Sequence, residues 1–160
     1  MNYILGVDTL SEQHVRNVKG KFGKTIQVRL VSDLKISKNY YRDVLGCRVD
    51  DWGHVERDGM ILILQQAKTS QDVKPNAPAK KRNDYPTEWE GPDFGWDTFI
   101  HVNWNDLDLL VEEVHSKGGK VAVEPYVGSH GGKEFKNAAF EDPDGYMIVL
   151  GAMRDISFYE

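Results

Sequence analysis

The sequence predicts an α+β fold made from two copies of one β-α-β-β-β unit. Three observations carry this reading: an internal repeat, a change of hydrophobic period inside each copy, and turn residues at the joints. Residues 25–34 (TIQVRLVSDL) align without gaps with residues 98–107 (TFIHVNWNDL), an offset of 73 that also sends Gly46 onto Gly119. Each copy opens with a run rich in β-branched and apolar residues, and each run ends at an Asp-Leu pair where a small polar residue suits a helix N-cap.

The elements follow in order. The first 24 residues stand outside the repeat, with a short capped helix expected at 11–19. In the first copy Ile36, Tyr40, Tyr41, Val44 and Leu45 fall at helical spacing, and in the second Leu107, Leu110, Val111 and Val114 do so. Gly46 and Gly119 are then expected as helix C-caps. Three strands should follow the first helix, at 47–52, 55–57 and 60–66, parted by Gly53 and by the hairpin dipeptide Asp58-Gly59. Three more are expected at 121–127, 135–140 and 146–152, with residues 142–145 (DPDG) as the final turn. The expected organisation is therefore an N-terminal extension (1–24), a first module (25–66), a proline-bearing linker (67–97), a second module (98–152) and a short tail (153–160).

Composition narrows the function. The chain has 160 residues, 40% hydrophobic and 28% charged, the size and make-up of one globular domain. No apolar run approaches the length of a membrane span, and the N-terminus lacks the basic start and apolar stretch of a signal peptide. A cytoplasmic protein is the expectation. With 20 basic against 25 acidic residues the balance argues against nucleic acid. The lone Cys47 allows no internal disulfide, and a buried structural thiol is expected there.

Residues 31–46 (VSDLKISKNYYRDVLG), residues 132–135 (GKEF) and residues 140–146 (FEDPDGY) resemble the opening and close of vicinal-oxygen-chelate domains, the glyoxalase and bleomycin-resistance superfamily. The second stretch is most similar to bleomycin-resistance members, and the resemblance covers residues 25–152. It implies two modules curling their strands into an incomplete β-barrel around a cavity, and a homodimer. Enzymes of that family hold a divalent metal with one side chain from the first and one from the last strand of each module. The resemblance sets those positions seven residues before the Asp of each Asp-Leu pair and four after each hairpin glycine, which gives Ile26, Phe99, Ile63 and Val149, all apolar. Hydrocarbon offers no lone pair to a cation, so no cofactor is expected. The alternative is a divalent metal at a displaced site, with His101 joined by Gln66 and Glu141.

What remains is aromatic and acidic. Residues 84–97 (DYPTEWEGPDFGWD) interleave five carboxylates with Tyr85, Trp89, Phe94 and Trp96. Such a segment either grips a flat or cationic organic molecule or packs across the barrel with a solvated acidic face. The ligand-binding candidates are Trp52, Trp89, Phe94, Trp96, Phe99, His101, Trp104 and Gln66, with Trp104 expected at the end of the second module's first strand. The glycine-rich residues 128–132 (GSHGG) are expected as a loop, either at the cavity mouth or a plain connector. The resulting expectation is a metal-free protein that sequesters a small cationic or aromatic molecule. A metal-dependent lyase or dioxygenase and an interaction protein with a filled cavity are the alternatives.

Overall fold

The structure, a computed structural model, describes residues 19–76 and 95–156. In chain order it runs β1 (Gln27–Val31), α1 (Leu34–Asp43), β2 (Arg48–Val49), β3 (His54–Arg57) and β4 (Met60–Gln66), then a short 3₁₀ turn (Ser70–Asp72). The second half runs β5 (Thr98–His101), α2 (Trp104–Ser116), β6 (Lys120–His130), β7 (Lys133–Glu141) and β8 (Met147–Asp155). The strands form two separate four-stranded sheets, ordered β1-β4-β3-β2 and β5-β8-β7-β6. In each, the first and last strands lie side by side and parallel, and the remaining pairs are antiparallel. The β-α-β-β-β unit is thus present twice, and among the described residues neither sheet closes on the other. The expected helix at 11–19 lies, but for its last residue, outside the described residues.

Local chemistry explains most boundaries. Asp33 caps α1 by accepting the Ile36 N–H at 3.0 Å. After β2 the chain turns because the Asp50 carboxylate takes the N–H groups of Trp52 and His54, each at 2.9 Å. The expected strand 47–52 is therefore cut to two residues. Residues 128–130 continue β6, so the glycine-rich stretch is not a loop: only Gly131 and Gly132, at φ +58° and +78°, make the turn.

The gapless repeat needs one correction. Val28 is paired with Ile63 and Phe99 with Val149, so Val28 rather than Ile26 is the counterpart of Phe99. The helices keep the original offset, with Tyr41 and Val114 both buried. Two extra residues lie between β5 and the body of α2. They form an added first half-turn, and Trp104 accordingly opens α2, behind the N-cap Asn103, instead of ending a strand. At the other end of α2, Gly118 takes the left-handed conformation (φ +74°). Gly119 is instead a point of close approach, where a Cβ would fall 2.5 Å from Val44 and 2.6 Å from Val114.

One core serves both modules. Val31, Tyr41, Leu62 and Leu64 share it with Leu107, Val111, Ile148 and Leu150, so the two sheets present their helix-covered sides to a common interior. A buried polar cluster ties the modules together. Arg29 donates to the Tyr41 hydroxyl and to Thr98 Oγ1, both at 2.6 Å, and Tyr41 donates to Asp142 at 2.8 Å. Asp142 also accepts the N–H groups of Asp144 and Tyr146, and the Arg29 guanidinium lies 4.5 Å from the Tyr146 ring centre. Burial pushes the Asp142 carboxyl above its ordinary value, against the lowering effect of Tyr41, the backbone N–H groups and Arg29. At the other end of the interface Arg57 meets Glu113 at 3.2 Å. Among the described residues no helix is long and apolar enough to cross a membrane.

Candidate functional site

Side chains alternate across a strand, so each sheet has a helix-covered face and an opposite, concave one. On the first sheet the concave face carries Val28 and Leu30 from β1 and Ile61, Ile63 and Gln65 from β4. It stands open: Ile26, Val28 and Leu30 are 45%, 61% and 38% exposed. On the second sheet the face carries Phe99 and His101 from β5, Met147 and Val149 from β8 and Ala139 from β7. Here Ala139, Met147 and Val149 are buried under Trp96 and Val123.

The structure brings three of the aromatic candidates together. Trp96 stacks on Phe99 with ring centres 5.3 Å apart and planes 22° apart, and Phe99 meets His101 edge to face at 5.0 Å. These offset and T-shaped contacts suit the quadrupoles of the rings. The ladder is held from below by Asp97, whose carboxylate accepts the N–H groups of Met147 and Asn76, each at 2.8 Å. Asn76 also donates to the Trp96 carbonyl at 2.9 Å. Asp97, one of the five carboxylates read as ligand-gripping, is therefore an anchor for the ladder. A cleft of about 930 Å³ runs along the free edge of β5. Its walls include residues 98–103, the Arg57–Ile61 hairpin and the Asp106, Leu109 and Glu113 side of α2.

The remaining candidates sit elsewhere. Trp52 is 81% exposed on the turn before β3. Gln66 locks the start of α1, accepting from Leu34 N at 2.8 Å and donating to the Ser32 carbonyl. Trp104 lies beneath two cations, Lys136 at 4.6 Å and Arg154 at 3.9 Å from its ring, so its face is already occupied. Trp89 and Phe94 fall outside the described residues. Cys47 is buried and its thiol is pushed by burial up to about 11, far from a nucleophile's range.

The family's four metal-holding positions, corrected to Val28, Ile63, Phe99 and Val149, carry no donor atom, and that set does not fit a divalent cation. Among the described residues no group of three or more His, Cys, Asp or Glu side chains converges elsewhere. The displaced set of His101, Gln66 and Glu141 does not form either. Gln66 is spent on the helix start and Glu141 is paired with Lys120.

Sequence reasoning missed Gly151, the seat of the Phe99 ring, and Tyr126 and Asn137, which face each other across β6 and β7 beside the ladder. The one signal for them was Pro125 inside a strand, where proline marks an irregular ladder.

The Glyoxalase/Bleomycin resistance protein/Dioxygenase superfamily profile matches residues 25–150. A search of curated proteins found none that matches. Among solved structures, a glyoxalase/bleomycin resistance protein/dioxygenase from Alicyclobacillus acidocaldarius is similar with a TM-score of 0.57 at 12% identity, over 86% of this chain and 96% of that one. The genomically encoded fosfomycin resistance protein of Listeria monocytogenes gives 0.56 at 10% identity, over 83% and 94%. A hypothetical protein of S. aureus gives 0.52 at 26% identity, over 83% and 95%. The first two likenesses concern the fold alone.

Proposed function

The chain belongs to the glyoxalase/bleomycin resistance protein/dioxygenase superfamily, and from that premise we propose that it is a small-molecule-binding protein that holds a flat aromatic compound without changing it. The observation that carries this reading is the ring ladder Trp96–Phe99–His101, whose middle ring stands where the family's catalytic members place a donor atom. A phenyl ring and a valine at those positions offer stacking surface and an apolar floor, and no Lewis acid can be anchored by them. The binding reading therefore includes no bound metal.

The working form in this proposal is a homodimer. Ile26, Val28 and Leu30 make a row of exposed large apolar side chains along an edge strand, with Ile61 and Ile63 beside them. A second copy laid over this face would bury it and complete a cavity that one chain leaves open.

Titration of tryptophan fluorescence with planar aromatic compounds, followed by mass analysis of the recovered compound, tests the reading. Saturable quenching is expected in the wild type, weakened about tenfold in Phe99→Ala by the lost stacking and contact area, with the compound recovered intact. Recovery of a converted compound would refute it, as would a stoichiometric divalent metal that is lost in His101→Ala.

A further inference from the structure

Two neighbouring rows of side chains cross the whole concave face of the second sheet. Phe99, Val149, Ala139 and Val123 are registered partners in one, and His101, Gly151, Asn137 and Tyr126 in the next. The first row is apolar, while the second carries hydrogen-bonding groups around a gap at the glycine. Neither row contains a Lys, Arg, Asp or Glu.

Tyr126 reaches this row across a ladder broken twice, between Val121 and Val123 and again between Val123 and Tyr126. The register shifts between Val123 and Tyr126, where the partners on β7 are Ala139 and Asn137, so β6 spends one residue more than its neighbour. Counted from Val123, an even step would set Tyr126 against Lys136, on the helix-covered side. Pro125, which has no N–H to give to a ladder, lies inside this bulge. The side chain so re-aimed has a buried hydroxyl with no hydrogen-bond partner among the described residues. Asn137 opposite it is 6% exposed, and its amide nitrogen makes only a long bond of 3.4 Å to the Leu150 carbonyl. A buried polar group left without a good partner is a standing cost that a native structure keeps for a reason. The gap itself is filled by the chain: the Phe99 ring lies over Gly151, so closely that a Cβ there would sit 2.2 Å from Phe99 Cζ.

We propose that this row is a recognition subsite for an uncharged ring compound bearing a hydroxyl or carbonyl group, of the phenol class. Its ring takes the place over Gly151 from which the Phe99 ring turns aside to stack against it, and its polar group pairs with Tyr126 and Asn137. Both side chains can donate and accept, so either substituent is served. A charged ring would lose its hydration against two rows that offer no counter-charge. The inference rests on the binding reading above and adds the class of ligand and the residues that select it.

Phenol, toluene and benzyltrimethylammonium, titrated by calorimetry into wild type, Tyr126→Phe and Gly151→Ala, test it. In the wild type phenol is expected to bind more tightly than toluene, and the cation more weakly than either. Tyr126→Phe should weaken phenol roughly 2- to 10-fold, the range of one hydrogen bond, leave toluene unchanged, and not lower Tm, because it removes a hydroxyl that has no partner. Gly151→Ala should weaken both neutral rings. If phenol and toluene keep the same ratio in Tyr126→Phe, or if Gly151→Ala leaves both unaffected, the subsite is overturned while the binding function stands. Preference for the cation overturns it in the same way. If no ring binds the wild type, the subsite and the binding function fall together.

Discussion

Replacing Arg29 by methionine keeps most of the side-chain volume and removes the one cation from the cluster that joins the modules. Two hydrogen bonds from the guanidinium go with it, to Tyr41 and Thr98, both at 2.6 Å. Hydrogen bonds involving a charged group contribute about 1.5–3 kcal/mol each, and Asp142 would be left with a fully buried side chain and no counter-charge. The Arg29–Asp142 separation of 3.9 Å, with Tyr41 between them, makes the direct attraction the smaller part. The expected loss is about 3–5 kcal/mol, the range seen when one partner of a buried pair is removed. At this chain length that lowers Tm by roughly 6–20 °C. Urea denaturation followed by circular dichroism measures it, with Arg42→Met, on the exposed side of α1, as the control. A loss below about 1 kcal/mol would show that the cluster does not hold the modules together.

Other consequences can be measured on the same preparations. Because burial raises the Asp142 carboxyl, folding favours its protonated form. Its contribution to stability is therefore full below the unfolded value of 3.8 and falls as pH rises through the folded one. The difference in unfolding free energy between wild type and Asp142→Asn should shift against the wild type over that window; a shift the other way refutes the assignment. Gln66→Ala removes the side-chain acceptor at Leu34 N and the donor to Ser32, and should cost about 1 kcal/mol in the same denaturation assay; no change would mean that water replaces it fully. Cys47, held up to about 11, should resist iodoacetamide at pH 8 in the folded protein and react readily in urea. Equal rates in both states would contradict its burial.

The repeat and the hydrophobic periods made the two modules legible because both are local signals. The Asp33 cap, β4 and the final turn follow directly from side-chain chemistry in one short window. The strand-to-helix step of the second module was not legible. A gapless alignment cannot see two residues added where β5 gives way to α2, and for that reason Ile26 stood where Val28 belongs. The slip leaves the metal argument intact, since both residues are apolar and share a face. Of the site, Trp96, Phe99 and His101 were readable as aromatic candidates near the second module's first strand. Gly151, Asn137 and Tyr126 were not, because what joins them is cross-strand register, and a bulge changes that register by one. Gln66 misled for the opposite reason: its polar atoms are consumed locally by a helix start.

The bulge at Pro125 also bears on how relatives of this protein can diverge. Val121, on one side of it, packs into the core shared with the helices, while Tyr126, on the other, looks into the concave face. The two stretches of one strand are thereby uncoupled. Loss of a single residue at 124 or 125 would even out this step and still leave Tyr126 opposite Asn137, so the bulge can shrink without moving the side chains on either side of it. In this fold a change of chain length by one is absorbed where it falls, and a different ligand calls for substitution at Tyr126 or Asn137 themselves.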